Sequence, residues 1–220
     1  WLGHVARVLE GARECAERVV EGTCVVLHCS HGWDRTAQVS CLANVLLSER
    51  ARTIEGLCQA IQLSWCSFGH KFSHRNASRS CPAPAPGEPA SEPSHHNPSR
   101  EESPIFLQFL DALWQILRQH PNLFEYTQSL LLLLADSARD ASHVTLAANC
   151  HAERARLSGP CLWASIAAQR SSLVNPGYCP GEEEGGGLLD VACRVEDLEV
   201  WCGYYLRWTD WGLREGSRGR

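Results

Sequence analysis

The chain has 220 residues, enough for a sizeable core in one domain or two small ones. Its formal net charge of −5 argues against a general nucleic-acid binder, which carries a basic field, so no nucleic-acid partner is expected. The longest strongly apolar run, Leu130 to Ala135, is far too short to span a bilayer.

Leu2, Val5, Leu9, Ala12, Ala16 and Val19 recur at three-and-four spacing and predict an amphipathic helix, ended by Glu21-Gly22. Cys24 to Leu27 is a short β-branched apolar run and predicts a buried strand. A tight loop through Gly32 follows, and Ala37, Val39, Leu42, Val45 and Leu46 resume helical spacing. Thr53 to Trp65 predicts another helix, with Thr53 as its N-cap. Residues 73–103 are rich in Ser, Pro and His and predict a disordered surface insertion in which His95 and His96 are solvated. Ser103-Pro104 suits an N-cap and first turn, opening a strong helix through Leu117 that Pro121 breaks. A helix is expected from Phe124 to Ala135 and a short one from Leu162 to Ala168. Residues 136–160 are weakly patterned, and 175–187, rich in Pro, Gly and Glu, predict a loop. Val195 to Trp208 closes as an aromatic-rich helix, with Trp201, Tyr204, Tyr205 and Trp208 expected in the core.

There are 12 cysteines, several inside apolar periodic segments (Cys15, Cys41, Cys58, Cys202), where they act as small buried hydrophobes. That usage favours a reducing, intracellular compartment. Cys24 and Cys29 form the single close pair, and residues five apart on a strand point to opposite faces, so no metal site is expected. No cofactor is expected either. The chain lacks Met altogether, even at position 1, which predicts a fragment or a processed product. Lys71 is the one lysine beside 19 arginines.

Cys29 and Arg35 are spaced C-x5-R. With this many Cys and Arg, roughly one such pair arises by chance, and a second does occur at Cys150 and Arg156. Context separates them: only the first follows an apolar run, contains a Gly and opens a helix. A tight loop feeding a helix N-terminus gathers backbone N–H groups that bind a phosphate dianion and stabilise a thiolate. Cys29 is then a nucleophile, and Arg35 a planar fork for phosphate oxygens. Asp34 is the nearest carboxylate to protonate a leaving oxygen, although the neighbouring Arg35 should depress its pKa. The bland alternative is a buried Cys before a helix with an unrelated Arg one turn later.

His28-Cys29-Ser30-His31-Gly32-Trp33-Asp34-Arg35-Thr36 closely resembles the HCSDGWDRT signature of the myotubularin phosphoinositide 3-phosphatases. Trp1-Leu2 with the following helix resembles that family's lead-in to the catalytic strand. Arg52-Thr53-Ile54 with Gly56 is similar to RTIxGF, and Trp65 to Phe72 is similar to WLSFGHRF. Ser103 to Phe109 is similar to SPVFLQF and continues through Trp114 to Gln119; Asn175-Pro176 and Trp201 to Trp208 also fit, in the family's order.

The resemblance implies an α/β, cysteine-dependent, protein-tyrosine-phosphatase-like fold, mostly helical here, with one core strand before the phosphate loop. It implies removal of the 3-phosphate from phosphatidylinositol 3-phosphate or its 3,5-bisphosphate through a phosphocysteine. Cys29 falls on the nucleophile, Arg35 on the phosphate-gripping arginine and Asp34 on the loop aspartate proposed as acid. Ser30, His31, Gly32 and Trp33 fall on the phosphate cradle, with Trp33 also a packing prop. Lys71 falls on a substrate-contacting arginine and keeps the charge without the fork. The implied partners are phosphoinositide lipid in membranes and other family members as homo- or hetero-oligomers. The implied location is cytoplasmic, peripheral on endosomal or other phosphoinositide-containing membranes.

His31 replaces an acidic loop residue, which should not harm anion binding and can disturb water positioning in the second step. Residues 1–211 are expected to be the C-terminal part of a phosphatase domain, with 212–220 a tail, and most sheet strands are expected upstream of Trp1. Two other readings remain: a catalytically dead adaptor, against which the retained Cys29 and Arg35 count, and a protein-tyrosine phosphatase, against which Gly32-Trp33-Asp34 counts.

Overall fold

The computed structural model describes residues 1–76, 102–180 and 188–209. Helix α1 (Leu2–Val20) buries Val5, Leu9, Ala12 and Ala16 of the predicted stripe together with Ala6; Leu2 is half-buried, and Val19, in the last turn, is exposed. It ends in a Schellman arrangement: Gly22 is left-handed (φ 79°), its N–H donates to the Val19 carbonyl at 3.0 Å, and the Thr23 N–H donates to Arg18 at 2.9 Å.

Residues 23–29 are irregular. Val25, Leu27 and Cys29 are half-buried, while Cys24, Val26 and His28 are exposed. The expected core strand at Cys24–Leu27 is therefore corrected: the two-residue alternation of a strand is present, but no strand pairs with it among the described residues. The loop 29–34 then opens helix α2 (Arg35–Leu47), which packs along α1.

Thr53 caps helix α3 (Ile54–Ile61), its hydroxyl accepting from the Gly56 N–H at 3.0 Å. Position 56 needs a glycine because a Cβ there would lie 1.7 Å from the Arg50 carbonyl oxygen. The helix widens into a π-turn at Gln62–Ser67, then Gly69 (φ 80°) turns the chain into α4 (Phe72–Arg75). Residues 73–76, at the start of the expected insertion, are thus ordered onto the core; 77–101 lie outside the described residues, His95 and His96 among them.

Helix α5 (Ile105–Gln119) crosses α1 and α2, and the buried Gln38 of α2 donates to the Ile105 carbonyl at 3.0 Å. Its N-cap is Pro104, not Ser103, and no side chain caps it. The expected helix from Phe124 divides in two. Phe124 and Tyr126 are buried on either side of Glu125 in an extended stretch whose bridge pairs Tyr126 with Val174. Thr127 then caps α6 (Gln128–Asp140) by accepting from the Ser129 N–H.

Short helices α7 (His151–Arg156), α8 (Leu162–Ala168) and α9 (Arg170–Leu173) follow; α8 occupies the expected residues. The loop expected at 175–187 is described as far as residue 180. The expected closing helix shrinks to a 3-10 turn (Val195–Asp197) and α10 (Cys202–Tyr205). Side chains of α5 hold the intervening backbone out of helical pairing. Gln115 accepts from the Glu199 N–H and donates to its carbonyl, and Arg118 donates to the Asp197 carbonyl. Trp201 is fully buried, whereas Trp208 is 79% exposed, so the four aromatics are not all core. Of the cysteines expected inside, Cys41 is fully buried and Cys15, Cys58 and Cys202 are half-buried. No helix among the described residues is long and apolar enough to cross a membrane.

Candidate functional site

The loop between residues 29 and 35 turns tightly because Gly32 adopts a left-handed backbone (φ 84°). This aims the Gly32 N–H back at the Cys29 sulfur, 3.2 Å away. Burial pushes the Cys29 thiol up, but the Thr36 hydroxyl and N–H together with the His31 and Gly32 N–H groups outweigh it and hold the thiol down at about 6. The shift is in the direction that favours the thiolate at neutral pH.

Arg35 leaves the first turn of α2 and returns to the loop, donating from Nη2 to the Ser30 hydroxyl at 3.2 Å. It is exposed, so its other donors remain open to an incoming anion. Asp34 occupies the N-cap of α2 yet makes no side-chain cap. Its carboxylate turns away instead, to Arg75 Nη2 at 2.7 Å and the His70 ring Nδ1 at 2.9 Å. An Asp that capped its own helix would occupy the first free N–H groups; this diversion leaves them facing Cys29.

Burial pushes the Asp34 carboxyl up, while His70 and Arg75 together hold it at about 2. The partners depressing Asp34 are His70 first and then Arg75 of α4, rather than the adjacent Arg35. His70 is fully buried, its ring edge-on to Trp65 and Phe72, and its Nδ1 also lies 3.0 Å from the Trp33 carbonyl. One buried imidazole thus joins the loop to the aromatic core built by Trp65, Phe72, Phe106 and Phe109.

Trp33 stacks on His31 with ring centroids 4.9 Å apart, and the Lys71 ammonium sits 4.4 Å from the centre of the Trp33 ring. All eight residues singled out in the sequence therefore lie on the loop or against it. Sequence reasoning missed Thr36, His70 and Arg75. The first two stood inside the motif blocks, unremarked; Arg75 stood inside the expected insertion. No cluster of three or more His, Cys, Asp or Glu able to hold a metal occurs among the described residues.

The second C-x5-R pair folds otherwise. Cys150 caps α7, its sulfur accepting from the Glu153 N–H at 3.5 Å, and Glu153 accepts from the Asn149 N–H at 2.8 Å. A carboxylate already fills that helix start.

Residues 1–155 match the family model of the myotubularin-like phosphatase domain. The chain is 37% identical over 214 residues to myotubularin of Xenopus laevis, covering 95% of this chain and 33% of that protein. It is 36% identical over 211 residues to the phosphatidylinositol-3,5-bisphosphate 3-phosphatase MTMR2 of Bos taurus, covering 94% and 30%. It is 36% identical over 215 residues to the phosphatidylinositol-3,5-bisphosphate 3-phosphatase mtm-1 of Caenorhabditis elegans, covering 94% and 34%. The chain spans about a third of the length of these relatives. On the strength of the match over residues 1–155, the chain belongs to the myotubularin-like phosphatase family.

Proposed function

We propose that the protein containing this chain is a phosphoinositide 3-phosphatase acting on phosphatidylinositol 3-phosphate, its 3,5-bisphosphate, or both, at the cytoplasmic face of membranes. The observation that carries this reading is the Cys29 sulfur at the head of a tight loop, with the Gly32 N–H aimed at it from 3.2 Å and Arg35 folding back to Ser30 of the same loop. Two relatives named as phosphatidylinositol-3,5-bisphosphate 3-phosphatases support the substrate class.

In this reading the Cys29 thiolate attacks the 3-phosphate phosphorus. The sulfur–phosphorus bond forms as the phosphorus–oxygen bond to inositol breaks, and the inositol oxygen takes its proton from a solvent water. Loop N–H groups and Arg35 stabilise the charge on the equatorial oxygens. Water then cleaves the phosphocysteine to phosphate and restores the thiol. Lys71, braced on Trp33, supplies a second cation near the inositol ring.

Asp34 in this arrangement anchors the loop. Acting as the acid would require it to leave both His70 and Arg75 and regain a proton well above a pKa of about 2. The test is phosphate release from vesicles containing phosphatidylinositol 3-phosphate by the natural protein that carries this chain. Release that Cys29→Ser abolishes is expected. A folded protein that releases none, or that releases phosphate from phosphotyrosine peptides and not from lipid, would contradict the reading.

A further inference from the structure

The π-turn at Gln62–Ser67 presents two faces. Its inner face is pinned. Trp65 and Cys66 are buried, Gln62 accepts from the Trp163 indole N–H at 2.9 Å, and the Cys66 carbonyl accepts from Arg154 at 3.5 Å. Its outer face carries Leu63, Ser67 and Phe68, all exposed, with Leu63 at 60% and Phe68 at 67%. In a π-helix the hydrogen bonds run from residue i to i+5, so positions five apart succeed one another on one face. Leu63 lies in the widened turn and Phe68 is the residue that ends it, both exposed; the Ser67 hydroxyl, donating to the Gln62 carbonyl at 3.0 Å, closes the turn. Isolated exposed hydrophobes are ordinary. Two large ones on one turn whose inner face is pinned are not.

The position of this pair gives it meaning. Phe68 is three residues from Lys71, so their Cα atoms lie within about 11 Å. Between them His70 binds the Trp33 carbonyl and Asp34, and Lys71 itself lies over Trp33. Phe68 therefore stands three residues from Lys71, the cation that lies over Trp33 of the phosphate loop, and Leu63 is exposed on the turn that Phe68 ends. Apolar side chains beside cations at the mouth of an anion site match the order of groups across a bilayer surface, acyl boundary beneath and phosphate above.

We propose that Leu63 and Phe68 form a membrane-entering tooth that seats the phosphate loop on the lipid surface while Lys71 and Arg35 engage headgroup phosphates. This rests on the phosphatase reading above and specifies how the site meets its lipid.

The test compares the natural protein with its Leu63→Ser/Phe68→Ser variant on two substrates. One is phosphatidylinositol 3-phosphate in phosphatidylcholine vesicles; the other is its soluble dibutanoyl form. The expected result is a loss of about tenfold or more in vesicle turnover, the order set by withdrawing two apolar side chains from the bilayer. Soluble turnover should stay within about twofold, thermal stability should not change, and Phe68→Trp should retain vesicle turnover. Equal losses on both substrates, or a lowered Tm, would show that the pair packs against protein and would overturn the proposal, as would unchanged vesicle turnover. If the unsubstituted protein hydrolyses neither substrate, the phosphatase reading fails separately. Flotation of both proteins with the same vesicles then decides the tooth: weaker flotation of the variant supports it, and equal flotation overturns it.

Discussion

Two segments of this chain share the spacing C-x5-R, and the chain folds them into opposite electrostatic roles. At Cys29–Arg35 a left-handed glycine bends the loop under the sulfur, and the Asp34 carboxylate is drawn off to His70 and Arg75. The N-terminus of a 13-residue helix is left facing a thiol and an open guanidinium. At Cys150–Arg156 the same six-residue interval is a single short helix. There the Cys150 sulfur serves as a cap and the Glu153 carboxylate fills the remaining donor space. Spacing alone carries little chemistry. What decides is where the nearest carboxylate goes, and that is settled by residues outside the motif.

The largest expected difference between the segments is in turnover. Cys29→Ser should lower phosphate release from the lipid by at least about 1,000-fold, because a serine hydroxyl stays protonated at neutral pH and is a far weaker nucleophile than a thiolate. Cys150→Ser should leave it within about twofold. Next, Arg35→Lys keeps the charge but loses the fork, and should cost on the order of 100- to 1,000-fold in kcat. Arg156→Lys should cost nothing measurable in the same assay. A comparable loss at Arg156 would break the distinction.

A smaller effect separates the two carboxylates. Asp34 is largely buried and its carboxyl is held at about 2, against an unfolded value near 4. A depressed carboxyl stabilises the fold fully above the unfolded value and loses that stabilisation as pH falls through the folded one. Its contribution, about 2 to 3 kcal/mol, should therefore be present at pH 5 and vanish between about pH 4 and 2. Asp34→Asn should lower stability by about that amount at pH 7 and flatten the acid limb of a denaturation series. The smallest expected effect is at Cys150→Ala, where loss of the exposed cap should cost at most about 1 kcal/mol in the same series.

Much of this was legible beforehand. The Leu2–Val20 stripe, the Thr53 cap and the Leu162–Ala168 helix are local patterns, and local hydrogen bonding honours them. The Cys29–Arg35 loop was legible because Gly32 and the helix that follows sit within a few residues of it. What escaped was non-local. A strand at Cys24–Leu27 needs a neighbouring strand to exist as one, and the apolar run supplied only the alternation. The closing helix failed because Gln115 and Arg118, about 80 residues away, take its backbone groups. Asp34 was expected to feel Arg35 beside it, yet its partners come from His70 and Arg75, brought in by the turn at Gly69. The aromatic wall that fixes His70 mixes Trp65 and Phe72 with Phe106 and Phe109 of α5, and periodicity within either helix is silent about that meeting.

The central claim is that this fold turns Cys29 into a thiolate at neutral pH. The most direct measurement is the rate of Cys29 alkylation by iodoacetamide between pH 4 and 9, read by mass spectrometry at the Cys29 peptide of the natural protein. The account predicts a midpoint near 6, with Asp34→Asn displacing it as the loop loosens. A midpoint in the ordinary thiol range near 8.5 would contradict it.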